Sequence, residues 1–227
     1  MRACPYNKDM EQETFARPWD WNASHDEGIW LNPSEDAYYL AYRWQNKKRF
    51  LDFGCGLGRH SLFFAKQGHE VLGFDLSLEA VERTKSLLSR HGHKGTFVQS
   101  DMHHVYLPDG CCDCLLAYHV ASHTTKEGLP KVIGEMRRLL SDGGELYCDF
   151  CAEDSWTALD SGYPRIDEFT VVPDKGEEIG ISHCCPTLDF LLEQFASFKE
   201  VNVRKIDSCV EKGVRKKTRH YFVLAVK

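Results

Sequence analysis

The sequence predicts an α/β fold: a doubly wound, mostly parallel sheet of seven strands, with helices on both faces and an antiparallel last strand. Three observations predict it. Arg49 to Ser77, RFLDFGCGLGRHSLFFAKQGHEVLGFDLS, reads as strand, glycine turn, helix and strand, which is one βαβ unit. Strand-like apolar runs and helical periodicities then alternate as far as Phe150. Val201 to Ile206 and Tyr221 to Val226 read as two final strands, and the connection between them is too short for a right-handed helical crossover, so they should pair antiparallel.

Ahead of the first strand, residues 1 to 48 carry Trp19, Trp21, Trp30, Tyr38, Tyr39, Tyr42 and Trp44, an aromatic load too heavy for a disordered tail. Asn32, Pro33 and Glu35 read as N-cap, first-turn proline and capping-box glutamate, which predicts a helix from Pro33 to Gln45. The segment is expected to be an aromatic helical extension, and the main domain to run from 49 to 227. In the βαβ unit, Phe50, Leu51 and Phe53 form the first strand, and Val71, Leu72 and Phe74 the second. Between them, Gly54, Gly56 and Gly58 stand in GxGxG spacing, which lets the backbone turn sharply and leaves bare amides facing a ligand across the strand ends. Asp75 closes the second strand about twenty residues past the first glycine, where a carboxylate can accept hydrogen bonds from two ribose hydroxyls. A nucleoside ligand is implied. A dinucleotide fingerprint would need GxGxxG, but the sixth position is Arg59 counting from Gly54 and Ser61 counting from Gly56.

Ser77 is placed to cap a helix carrying Leu78, Val81 and Leu88, which ends at Gly92 to Gly95; the third strand is Thr96 to Gln99, followed by Ser100, Asp101 and Met102. After the turn Pro108 to Gly110, Cys112 to Tyr118 is apolar enough for burial on both faces. In open α/β sheets ligands lie beyond the carboxyl ends of the strands near the topological switch, so residues following strands one and four face each other. His119 and His123, just past strand four, are therefore candidate proton acceptors. Thr124 and Glu127 read as a capping box, Leu129 to Leu140 as an amphipathic helix stopped by Asp142 to Gly144, and Glu145 to Phe150 as strand five. Residues 151 to 186 break the alternation. They hold Trp156, Tyr163, Phe169, the turn Pro173 to Gly176 and His183, an insertion long enough for its own hairpin over the strand ends. Thr187 should cap a short helix with Leu188, Leu191, Leu192 and Phe195. Lys212 to His220, KGVRKKTRH, is the one basic run, readable as an RNA contact or as a charged edge that resists pairing with other chains.

The acidic residue Asp52 followed by Gly54, Gly56 and Gly58, with Asp75 closing the next strand, resembles the motif of the Rossmann-like methyltransferases that use S-adenosylmethionine. The resemblance runs from Phe50 to the C-terminus, and RRLLSDGGELY is similar to that family's entry into strand five. It implies that the cofactor is held by Asp52, Gly54, Cys55, Gly56, Gly58, Asp75 and Leu76, with Asp101 accepting from the adenine amino group, Met102 packing on the ring and Tyr118 beside it. It also implies S-adenosylhomocysteine as product, and an acceptor enclosed by the N-terminal extension and the insertion, where Trp30, Trp156 and His183 are the candidate substrate contacts. No NPPY-like sequence follows strand four, so small-molecule methyltransferases are the nearer likeness, and a small-molecule methyl acceptor is expected.

Composition sets further bounds. The 227 residues are 42% hydrophobic, enough for a sizeable core in one domain. A net charge of −6 argues against a surface that tracks nucleic acid. Neither a signal-peptide core nor a membrane-length apolar run is found, so a cytoplasmic location is expected. Six of the 10 cysteines (Cys55, Cys112, Cys114, Cys148, Cys151 and Cys209) fall on or beside expected strands, which reads as buried free thiols rather than a disulfide framework. Cys111, Cys112 and Cys114, and Cys184 and Cys185 beside His183, lack paired CxxC spacing, so no metal is expected. Two other readings stand beside the small-molecule enzyme: a non-catalytic S-adenosylmethionine-binding regulatory subunit that docks a partner through its aromatic extension, and an RNA methyltransferase.

Overall fold

A computed structural model describes residues 18–19, 28–176, 178–211 and 213–227. Trp21 and Lys212 lie outside them, as do the side chains of residues 214–216 in the basic run. In chain order the elements are α1 (Gly28–Leu31), α2 (Glu35–Arg43), β1 (Arg49–Phe53), α3 (Arg59–Lys66), β2 (Glu70–Asp75), α4 (Leu78–Arg90), β3 (Gly95–Gln99), β4 (Cys112–Ala117), α5 (Leu129–Leu139), β5 (Leu140–Cys151), α6 (Trp156–Leu159), β6 (Thr170–Val171), β7 (His183–Cys184), α7 (Leu188–Gln194), β8 (Glu200–Glu211) and β9 (Val214–Val226). The main sheet has seven strands in the order β3-β2-β1-β4-β5-β9-β8. Strands β1 to β5 pair in parallel, whereas β9 is antiparallel to both β5 and β8. The order reverses between β1 and β4, which puts the switch point beside the glycine turn.

Alternation along the central strands builds two cores. Phe50, Cys114 and Leu116 face one side with Leu40, Trp44 and Phe64, and Leu51, Phe53, Leu115 and Ala117 face the other with Val132, Met136 and Leu191. Phe50 stacks on Phe64 with ring centroids 3.9 Å apart, and Trp44 lies 6.3 Å from Phe50 and 5.8 Å from Phe64, so α2 is tied to the sheet through aromatics. Replacing Phe50 by Ala would leave a cavity costing ~3–5 kcal/mol.

Several boundaries differ from expectation, each for a local reason. Helix α2 starts at Glu35 with Ser34 as N-cap, not at Pro33, and Ser34 makes no side-chain cap because its N–H and hydroxyl both meet His60 Nε2, at 3.2 and 3.1 Å. Helix α5 starts at Leu129. The expected Thr124–Glu127 box does not form, since Thr124 Oγ1 lies 2.7 Å from His103 Nε2 and Thr125 Oγ1 takes the Gly128 N–H. Strand β5 begins at Leu140 and carries an irregularity before Glu145. Strands β8 and β9 extend well past Ile206 and before Tyr221, so most of the basic run is strand rather than connection. Ser77 and Thr187 cap α4 and α7 as their side chains suggest.

The insertion forms α6 and the β6–β7 hairpin, and is pinned to the segment after β4. Cys184 N–H donates to Ser122 O, and Lys126 N–H donates to Thr170 Oγ1 at 3.1 Å. Among the described residues, no helix is long and apolar enough to cross a membrane, and the nine described cysteines are free thiols.

Candidate active site

A cavity of about 340 Å³ opens at the carboxyl ends of β1, β2, β4 and β5. Its floor is the glycine turn. Gly54, Gly56 and Gly58 all have positive φ (76°, 50° and 83°), and a Cβ on Gly54 would lie 2.6 Å from Val120 Cγ2. The turn is held by Cys55 N–H to Phe74 O and by Thr84 Oγ1 to Gly56 O. Asp75 accepts from the Gly56 and Ser77 amides, each at 2.9 Å, and burial raises its pKa to about 6. Asp101 stands at the next strand end, where its Oδ1 takes the His103 N–H at 2.8 Å and lies 2.6 Å from His103 Nδ1.

Across the switch point, His119 has φ of 56°, a left-handed backbone found at no other non-glycine described residue. Asp149, which is 1% exposed at the end of β5, holds it twice: Oδ1 takes the His119 N–H at 2.6 Å and Oδ2 lies 2.7 Å from Nδ1. Burial pulls the His119 pKa down, but the Asp149 charge and hydrogen bond outweigh it, and the net shift is upward. Burial likewise pushes Asp149 up, yet its contacts with His119 hold it below the usual carboxylate range. The ionised carboxylate only accepts, so Nδ1 carries the proton of the neutral imidazole and Nε2 keeps a lone pair. His123 is different. Burial beside His183 lowers its pKa to about 3, which leaves it neutral.

The cavity brings together Gly54, Cys55, Gly56, Asp75, Leu76, Asp101, Met102, Tyr118, His119, His123, Trp30 and His183. Three expected contacts lie elsewhere. Asp52 sits under the turn and accepts from Ser61 Oγ at 2.6 Å. Gly58 backs onto α4, where a Cβ would meet Thr84 Oγ1 at 2.8 Å. Trp156 turns away to meet Tyr163 edge-on at 6.0 Å, and its neighbour Thr157 lines the wall instead.

Sequence reasoning missed Arg59, Asp149, Glu178 and His220, all of which line the cavity. Arg59, the residue that breaks GxGxxG, lies with Cζ 5.4 Å from the Trp30 ring and 5.6 Å from that of Tyr118. Asp149 carried a readable signal as an acid within the apolar run YCDFC.

Residues 50–144 match the family described as methyltransferase domain. A malonyl-(acyl-carrier protein) O-methyltransferase from Pectobacterium atrosepticum is 28% identical over 118 residues, which cover 52% of this chain and 44% of that protein. The chain spans between 31% and 62% of the length of the curated relatives it matches. A solved structure of an S-adenosylmethionine-dependent methyltransferase from Methanosarcina mazei superposes with a TM-score of 0.66 at 18% identity, covering 87% of this chain and 99% of that one. The 1,6-didemethyltoxoflavin-N1-methyltransferase of Burkholderia thailandensis, solved with 1,6-didemethyltoxoflavin and S-adenosylhomocysteine, gives 0.64 at 17% identity, covering 91% and 83%. At such identities the two structures speak for the fold alone. The domain match and the fold thus agree: residues 50–144 are similar to a methyltransferase domain, and the chain as a whole has the Rossmann-like class I fold seen in solved S-adenosylmethionine-dependent methyltransferases.

Proposed function

We propose that the protein methylates a small-molecule acceptor, with His119 as the group that receives the acceptor's proton. The carrying observation is one continuous cavity that has a buried ribose-type carboxylate, Asp75, at one end and the Asp149-oriented imidazole of His119 at the other. The cofactor fits the donor set. Asp75 retains acceptor capacity beyond its two amide bonds and suits a diol, Asp101 suits an amino group, and Met102 offers an apolar, polarisable face to a ring. Residues 54 to 56 would lie along the backbone side. S-adenosylmethionine supplies a methyl group already activated by its sulfonium charge, so alignment and exclusion of water carry much of the rate. The protein's own tasks are then to orient the acceptor and move one proton. Asp149 fixes the His119 tautomer, Nε2 accepts the proton, and the resulting imidazolium is stabilised by the carboxylate.

Trp19 and Trp30 roof this space, with centroids 5.9 Å apart, and the insertion supplies Glu178, Ile181 and His183. A cavity of this size, bordered by two tryptophans and the insertion, supports a small acceptor. The cavity continues past the glycine turn to His119, His123 and His183, which supports an enzyme over a purely regulatory subunit, and Arg219 of the basic run is committed to Asp154 and Asp207 at 3.0 Å each, which leaves it poorly placed for RNA phosphate. The test is a screen of small oxygen, nitrogen, sulfur and metalloid acceptors for S-adenosylhomocysteine release. An acceptor turned over by the wild type but ~10²-fold less by His119→Phe, at unchanged cofactor affinity, is the expected result. Turnover of RNA alone would overturn the reading.

A further inference from the structure

We propose that His123, Glu178 and His183 form a binding site for a divalent first-row transition ion such as Zn²⁺, with its open coordination positions facing the acceptor end of the cavity. The inference rests on the small-molecule reading only for what the open positions would hold; the ion site itself stands on geometry.

One ligand atom from each of the three residues lies within 4.8 Å of the other two. Two imidazoles and one carboxylate on one side of an ion leave the other side vacant, the donor set of sites that bind substrate or water directly. With bonds of ~2.1 Å, tetrahedral donors stand ~3.4 Å apart. His183 Nε2 and Glu178 Oε2 are already 3.3 Å apart, and the pairs with His123 lie within 4.8 Å, so closure needs at most ~1.4 Å of side-chain movement. His183 Nε2 is a buried nitrogen whose contact with Glu178 Oε2 lacks hydrogen-bond alignment, an imperfect pairing that an ion between the two would replace. The ring of Trp19 lies nearly parallel to that of His123, 18° apart with centroids separated by 6.2 Å.

All three donors line the cavity that holds His119. Their positions explain why no spacing rule exposes them. His123 follows β4, whereas Glu178 and His183 belong to the insertion, brought alongside through the Cys184 to Ser122 hydrogen bond. An ion there would favour acceptors with an ionisable hydroxyl or thiol, because coordination lowers the pKa of the bound group.

The probe is Co²⁺, added to the full-length protein after chelator treatment and dialysis. Its visible absorption reports coordination and calorimetry gives the stoichiometry, while S-adenosylhomocysteine binding is measured separately on the same samples. One Co²⁺ per chain is expected, with Zn²⁺ competing, and Glu178→Gln should weaken binding by ~10²-fold or more while leaving S-adenosylhomocysteine affinity unchanged. Glu178 is part-exposed in a turn, so this variant should fold; His123→Gln serves as the second variant and should lose the same absorption. Absence of stoichiometric Co²⁺ binding, or binding unaltered in both variants, overturns the site. Binding that is lost instead in His220→Asn would move the ion to the neighbouring His119–Asp149–His220 group and equally overturn it. Metal binding without S-adenosylhomocysteine binding would sink the cofactor reading and leave this site standing.

Discussion

His119 and Asp149 are joined at two points, backbone amide to Oδ1 at 2.6 Å and Nδ1 to Oδ2 at 2.7 Å, and the pairing holds His119 in a left-handed backbone at φ 56°. Such strain persists only where the surroundings over-determine it, and it concentrates at functional sites. Here the strain aims an imidazole, and the carboxylate that aims it also sets its basicity.

With His119 in the proposed role of base, turnover should rise with pH through a value above 6.5, because a base works only when deprotonated and the His119 pKa is shifted upward. The groups facing it are Asp149 from β5, His220 from β9, Arg59 from α3, Asp36 from α2 and the adjacent Tyr118. Asp149→Asn removes the charge that favours imidazolium, so the inflection of kcat/KM should move to lower pH. Turnover should also fall, since an amide can donate to Nδ1 and spoil the tautomer. An inflection that stays in place would mean that another group takes the proton.

How legible this was depends on locality. The glycine turn, Asp75 and the alternation of strands with helices follow from contacts within one βαβ unit or between consecutive units, and those leave short-range patterns. The Asp149–His119 pair, 30 residues apart, and His220 on a strand that looked like a basic loop arise only when β4, β5 and β9 lie side by side. Helix starts were misjudged for a related reason. Ser34 and Thr124 have the side chains of helix caps but spend them on His60 and His103, and tertiary partners outbid the local rule.

Gly54 offers a test of the turn. At φ 76° any side chain is strained, and a Cβ would lie 2.6 Å from Val120 Cγ2. Gly54→Ala should lose ~1–3 kcal/mol of stability by urea denaturation. Adding Val120→Ala relieves the clash but not the backbone strain, so it should recover only part of the loss. Full recovery would show that φ carries no cost here.

Asp75→Ala should weaken S-adenosylhomocysteine binding by ~1–3 kcal/mol in calorimetry, because a charged acceptor for two hydroxyls is lost. Wild-type affinity should also fade as pH drops through about 6, where the buried carboxylate takes a proton and one acceptor oxygen becomes a donor. Equal affinity in the variant, or a flat pH profile, would remove Asp75 from the ribose role.

Asp52 permits a stability test that needs no ligand. It is 3% exposed, bonded to Ser61, and burial raises its pKa from 3.8 to about 7. Between those two values the folded chain holds a proton that the unfolded chain has released, so rising pH favours unfolding across that window. Asp75 and His119 contribute slopes of the same sign, from their own raised pKa values, and both remain when Asp52 is changed. The informative quantity is thus the difference between Asp52→Asn and wild type. Asn removes the titration while its side-chain oxygen can still accept from Ser61, so the variant should gain on wild type by up to ~1.4 kcal/mol per pH unit as pH climbs toward 7, and the difference should level off above it. Urea denaturation of both proteins from pH 5 to pH 8 measures this, and a difference independent of pH would mean that Asp52 stays ionised throughout.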